Sequence, residues 1–193
     1  MGYDGMSRRE LIARIEQFEA RVEGLELALA ESQSAEGGLR ALAHADQLTG
    51  LYNRGTFFTL ALQQLRLAAR HRRPLLLLYC DVRGLGRINE AFGLHEGDRA
   101  LVATAELLRG TFRESDVIAR VGPDEFAVLA VEASEGQGEA LVERLERSLA
   151  ARNARTPAFC KLDLAVGLAS WDPDRPCSVT DLLRRAVECV SVG

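Results

Sequence analysis

Leu75 to Val82 is a run of apolar residues broken only by an acid, Asp81, near its end. A strand of that composition buries both faces, so it belongs in the middle of a sheet with helices on either side. The surrounding pattern supplies those helices. Phe57, Phe58, Leu60, Ala61, Leu65 and Ala68 recur at helical spacing from Arg54 to Arg72, and Pro74 stops the helix. Leu101, Ala105 and Leu108 mark a second helix over Gly97–Arg109, and Glu139–Arg152 and Thr180–Cys189 give two more. Val117–Val121 and Phe126–Val131 form short strands around Gly122-Pro123-Asp124-Glu125, a hairpin pattern, and Phe159–Ala169 forms a further strand. Helices on a mixed sheet, an α/β fold, follow from this order.

The first 45 residues differ. Leu11, Ile15, Phe18, Val22, Leu25 and Leu29 alternate by four and three, a heptad seam with charged residues on the other faces. One helix cannot bury such a seam alone, so a parallel two-stranded coiled coil joining a homodimer is expected. The seam weakens toward Gly37-Gly38. The expected organisation is a coiled-coil helix over residues 1–45 and one domain over residues 46–193.

In the 193-residue chain, the formal net charge of -4 excludes the basic footprint of a DNA binder. No apolar run reaches membrane-spanning length, and no apolar signal segment opens the chain. Cys80, Cys160, Cys177 and Cys189 are scattered, as reduced thiols of a cytoplasmic protein would be. Any phosphate-rich ligand must therefore meet a local cluster of cations.

Five motifs in order give the chain a family resemblance. Asp46-Gln47-Leu48-Thr49-Gly50-Leu51-Tyr52-Asn53-Arg54 matches D-x-L-T-G-L-x-N-R, a turn at Thr49-Gly50 followed by a helix start capped near Asn53. Asp81 ends the central strand. Ile88 to Asp98 is similar to I-N-D-x-x-G-H-x-x-G-D. Arg113-Glu114-Ser115-Asp116 is an R-x-x-D sequence just ahead of the hairpin. Arg120-Val121-Gly122-Pro123-Asp124-Glu125-Phe126 resembles R-x-G-G-[DE]-E-F. Together these resemble a GGDEF domain, the bacterial module that makes or senses cyclic di-GMP.

The resemblance implies a nucleotidyl-cyclase-palm-like fold with a central five-stranded sheet flanked by helices. It implies that Asp81, the Val82 carbonyl and Asp124 hold Mg²⁺ (or Mn²⁺), with Asp124 and Glu125 as catalytic acids. Asn89 and Asp98 match the pair that reads guanine, where a carboxylate accepts from the ring N–H groups and an amide both gives and takes. Arg113 and Asp116 match an inhibitory cyclic di-GMP site. An active relative condenses two GTP molecules held by facing monomers. His95 lies one place beyond the family's usual histidine and is expected to be an ordinary surface residue.

Departures divide the functional expectation. Pro123 replaces a glycine, removing an N–H and barring positive φ, so the turn is expected to be reshaped. Gly86 replaces a phosphate-facing lysine and Arg83 replaces an acid, leaving Arg87 and Arg120 as candidate phosphate contacts. Arg185 to Val190 departs from R-A-D-x-A-L, and the residues given end before the family's terminal cations. Preorganised positive charge supplies much of the catalysis of phosphoryl transfer. The leading expectation is therefore a weak or inactive cyclase that binds cyclic di-GMP or GTP as a receptor. A working cyclase and a purely structural dimerisation module are the alternatives.

Overall fold

The computed structural model describes residues 44–133 and 135–190, and the expected seam from Leu11 to Leu29 lies outside them. The apolar run forms β1 (Leu75–Val82), hydrogen-bonded on both sides. Its neighbours are β3 (Glu125–Ala130) and β4 (Leu164–Trp171), and β2 (Val117–Arg120) pairs with β3. The order is β2-β3-β1-β4 and every pairing is antiparallel.

Alternation along β1 divides the core. Leu75, Leu77 and Tyr79 join Ala127, Leu129, Ala169 and Trp171 beneath α1 (Arg54–His71) and α5 (Val179–Glu188), which contribute Phe57, Ala61, Leu65, Leu182 and Ala186. Leu78, Cys80 and Val82 join Phe126 and Val128 on the opposite face. That face is covered by α3 (Leu94–Thr111) through Leu101, Ala105 and Leu108, and by α4 (Gly138–Asn153) through Leu145. Burying each of these large side chains contributes roughly 1.5–3 kcal/mol. Cys80, enclosed by apolar neighbours, has its thiol pushed up to about 12 by burial, so it is inert packing.

Helix ends follow local chemistry. The Asn53 side chain accepts from the Thr56 N–H at 3.0 Å and opens α1. Arg72, left-handed at φ 52°, closes α1 by donating its N–H to the Ala68 and Ala69 carbonyls. Ser178 caps α5 by accepting from the Asp181 N–H at 3.1 Å.

Three expectations are corrected. The sheet has four strands among the described residues, not five. Among the described residues, the outer edge of β2 bonds to Tyr52, whose N–H donates to Ile118 O at 3.3 Å and whose carbonyl accepts from Arg120 N at 2.9 Å. The tight turn before Tyr52 curls the chain away, so pairing stops at an isolated bridge. The strand expected from Phe159 begins only at Leu164. Pro157 starts a short 3-10 turn over Ala158–Cys160, and the Asn153 amide holds Leu162 N at 2.9 Å and Leu162 O at 2.8 Å. Finally, the glycine-rich turn after Asp81 continues into a helix, α2 (Leu85–Phe92), begun by Gly84 at φ 72°. Its eight residues carry an apolar stripe of Leu85, Ile88 and Phe92 that spans only two turns, and none of them is fully buried, Leu85 packing at the margin of the core.

Helix α5 lies close on β4: a Cβ at Gly167 would fall 1.9 Å from Ala186 O. Gly167→Ala is expected to cost ~1–3 kcal/mol by overpacking, lowering the urea midpoint. Gly86→Ala, whose added carbon meets nothing within 4 Å, should leave the midpoint unchanged or raise it.

Candidate active site and ligand-binding surfaces

The opening segment forms a hook. The Asp46 carboxylate accepts from Thr49 N at 2.9 Å and from the Thr49 hydroxyl at 2.7 Å, while Gly50, at φ 66°, donates its N–H to Asp46 O at 2.8 Å. Arg120 Nη1 reaches the same oxygen, Oδ1, at 3.3 Å and Oδ2 at 3.4 Å, in an ion pair whose Arg120 and Asp46 side chains are 15% and 24% exposed. Burial works to raise the Asp46 carboxyl, but the Thr49 and Arg120 interactions outweigh it and hold the group below the usual aspartate range. Arg120 also donates from Nε to Gly122 O at 3.1 Å and from Nη2 to Pro123 O at 2.5 Å. The guanidinium therefore clamps the signature turn to the hook, using the donors that were expected to face a phosphate.

Pro123 fits this turn. Val121 N donates to Glu125 O at 2.9 Å, so Gly122, Pro123 and Asp124 form the tip. None of the three has a positive φ, so the reshaping expected from proline does not arise from backbone sign. Gly122 gives the Glu125 side chain its place instead: a Cβ there would lie 1.9 Å from Glu125 Oε2 and would displace it.

Asp81 stands opposite Glu125 in the β1–β3 register, and Val82 N donates to Asp124 O at 2.9 Å. The three candidate acids thus meet where β1 leaves the core. Burial, then the charges of Asp124 and Glu125, raise the Asp81 carboxyl above the usual aspartate range, with Arg83 opposing. The Tyr79 hydroxyl donates to Glu125 Oε1 at 2.6 Å. Burial and that hydrogen bond, followed by the charges of all three acids, push the phenol well above the ordinary tyrosine range. Among the described residues, no three His, Cys, Asp or Glu side chains converge to enclose a cation by themselves. A pair of carboxylates still fits Mg²⁺, which is commonly held by one or two carboxylates plus substrate phosphates.

The guanine-reading candidates fall on α2 and α3. Asn89 Oδ1 is buried without a hydrogen-bond partner, and it occupies the space a Cβ on Gly97 would take, 1.9 Å away. Asp98, the next residue, is exposed and lines a cleft of about 440 Å³ with Leu48, Ile88, His95, Arg152 and Phe159. His95 is exposed on the rim. Arg87 folds back over Gly84, its Nη2 3.0 Å from where a Cβ there would lie.

The R-x-x-D sequence is a closed turn in which Asp116 N donates to Arg113 O at 3.0 Å. The Asp116 carboxylate accepts from Arg113 N at 2.9 Å and from Val131 N at 3.1 Å, tying the turn to the end of β3. Arg113 is exposed. Beside it, the Arg144 guanidinium stacks on the Phe112 ring at 5.4 Å, with Nε buried and unpartnered. Sequence reasoning passed over Arg144, which carries no motif signal. It also passed over Tyr79, although a hydroxyl inside an apolar strand announces the need for a polar partner.

Comparisons with known proteins agree with this geometry. The family model described as "Diguanylate cyclase, GGDEF domain" matches residues 43–191. The diguanylate cyclase TpbB of Pseudomonas aeruginosa is 40% identical over 121 residues, covering 63% of this chain and 28% of that protein. The bifunctional diguanylate cyclase/cyclic di-GMP phosphodiesterase MucR of the same species is 34% identical over 159 residues, covering 82% of this chain and 23% of that protein. The chain thus spans under a third of the length of these relatives. A solved microbial GGDEF domain, described in a novel interaction mode with cyclic di-GMP, superimposes with a TM-score of 0.65 at 31% identity, covering 78% of this chain and 89% of that one. With its hooked opening segment clamped to the signature turn and its acids gathered at the end of the central strand, this chain belongs to the GGDEF family.

Proposed function

We propose that this GGDEF domain acts in cyclic di-GMP signalling as a receptor or regulatory module, binding cyclic di-GMP or GTP with little or no turnover. It would work in the cytoplasm as a homodimer joined through the seam at residues 11–29. The observation that carries the weak-turnover reading is the disposition of cations around the acids. Arg120 is committed to Asp46, Gly122 and Pro123, Arg87 folds over Gly84, and Gly86 has no side chain. Among the described residues, Arg83, whose charge acts on Asp81, is then the cation left beside the acids, fewer than the several that phosphoryl transfer uses to clamp a triphosphate.

In this reading Asp81, Asp124 and the Val82 carbonyl hold Mg²⁺ or Mn²⁺. A bound divalent ion supplies charge neutralisation at the phosphate and favours ionisation of an attacking hydroxyl. Asp98 and Asn89 orient guanine, Asn89 by turning its buried oxygen out from its place against Gly97. Arg113, with Arg144 beside it, offers planar donors to cyclic di-GMP. Asp116 contributes first by shaping that turn through its two backbone hydrogen bonds. A second reading, a working cyclase that condenses two GTP, is favoured by the easy fit of Pro123 and by the full set of acids.

Calorimetry with cyclic di-GMP, and product analysis after GTP with Mg²⁺ or Mn²⁺, separate these readings. The expected outcome is binding with negligible product; robust cyclic di-GMP synthesis would establish the cyclase instead. Arg113→Ala should weaken cyclic di-GMP binding roughly tenfold to a hundredfold through loss of a charge-assisted contact. Unchanged affinity would remove Arg113 from the site.

The Asp81 carboxyl is raised in the fold, so the folded state prefers it protonated. Its destabilising contribution grows as pH rises through that raised value and vanishes below the unfolded one. Asp81→Asn should therefore raise the melting temperature at neutral pH, with the advantage closing as pH falls below about 4. Mg²⁺ should stabilise the unsubstituted protein and not the variant, as differential scanning calorimetry would read directly.

A further inference from the structure

We infer that Tyr79 is a positioning residue that ties Glu125 back from the cation position and leaves that position to Asp81 and Asp124; this rests on the metal reading above. Residues two apart in a strand share a face, so Tyr79 and Asp81 lie on one side of β1, with Ala127 and Glu125 opposite them on the same side of β3. Tyr79 is thus the diagonal neighbour of Glu125, and Asp81 is its direct one. By register alone, the Glu125 carboxylate would be expected to meet Asp81 and complete a cluster of three acids.

It does not do so. Glu125 Oε1 accepts from the Tyr79 hydroxyl at 2.6 Å, and Glu125 Oε2 fills the space over Gly122 where any other residue would carry a Cβ. Both oxygens are accounted for by groups other than Asp81. The Tyr79 ring is 6% exposed and packed with Leu77, Ala127 and Phe57, so its hydroxyl is held in place by the core. Among the described residues no three acidic or imidazole side chains converge on a point, although three acids are brought together here. The tyrosine and the glycine form a rest for the carboxylate. Without the hydroxyl, Glu125 is free to swing toward Asp81 and add a third carboxylate to whatever ion binds there.

Affinity for a divalent cation rises with the number of carboxylate ligands, so removing the hydroxyl should strengthen binding. Mn²⁺ alone is the probe, titrated into the whole chain and followed by the electron paramagnetic resonance of the free ion. Tyr79→Phe should bind Mn²⁺ roughly three- to tenfold more tightly than the unsubstituted protein. In a Glu125→Gln background, Tyr79→Phe should change nothing, because the amide adds no charge when it swings. A merely structural tyrosine would lower the melting temperature on substitution and could not tighten metal binding. Affinity equal to or weaker than that of the unsubstituted protein, equal tightening in the Glu125→Gln background, or no binding in either protein would overturn the inference. The cation reading has its own control. If Asp81→Asn binds Mn²⁺ as the unsubstituted protein does, that reading falls and the inference with it; if Asp81→Asn loses binding while Tyr79→Phe binds no more tightly, the role of the tyrosine alone falls.

Discussion

Two acidic residues stand in register across a hydrogen-bonded ladder at the point where the sheet runs out of apolar cover. Asp81 and Glu125 are register partners, and like charges placed directly opposite destabilise a sheet. The arrangement persists because everything on the core side of it is over-determined. β1 is paired on both edges and buried on both faces up to Cys80, and the Val82 N–H fixes the Asp124 carbonyl beyond it. A strand held this firmly can carry an unfavourable end, and the raised Asp81 carboxyl records that cost. A divalent cation is what such an end would relieve.

The second dependency runs through Arg120. Its guanidinium joins the Asp46 hook to the carbonyls of Gly122 and Pro123, so the opening segment and the signature turn form one mechanical unit. The same hook carries Tyr52 to the edge of β2 and satisfies backbone groups that would otherwise be open. A motif that resembles a helix-starting turn in sequence is thus also a brace for the turn that bears two of the acids. Arg120 cannot serve both this brace and a phosphate with the same donors, which removes one of the two cations that composition had offered.

Much of this was legible in the residues. The all-apolar strand, the four amphipathic helices and the hairpin each announced themselves by period, and the Asn53 cap by its residue type. What stayed hidden has physical causes. α2 is eight residues long, so its stripe of Leu85, Ile88 and Phe92 spans too few turns to stand out as a period. The late start of β4 depends on the Asn153 amide capturing Leu162, a contact fixed by tertiary placement and not by local propensity. At the edge of β2, the turn made by Asp46 and Gly50 limits Tyr52 to an isolated bridge, a reach that no sequence pattern encodes. In the site, motifs placed Asp81, Asp124 and Glu125 together, as the register confirms, but could not say which way each side chain turns. The structural duty of Asp116, the stacking of Arg144 and the hydroxyl of Tyr79 are matters of orientation, which sequence spacing does not carry.

Pro123 shows how that distinction changes the argument about activity. From sequence, the objection to proline was conformational: a tight hairpin demands positive φ, which proline cannot adopt. In the fold, Val121 to Asp124 make a longer connection with no left-handed residue at its tip, and the proline carbonyl is a hydrogen-bond acceptor for Arg120. Space, not backbone sign, is what Gly122 provides, because the Glu125 side chain lies across it and would have to shift for any other residue. What Pro123 still lacks is an N–H, and what Gly86 lacks is a cation; both are deficits of donors, not of shape. A turn of the right shape that presents acids without donors is suited to holding a metal or a base and poorly suited to stabilising charge that develops on a transferring phosphoryl group. In the proposed reading, the division between binding and turnover therefore rests on positive charge around the acids and not on the shape of the turn that carries them.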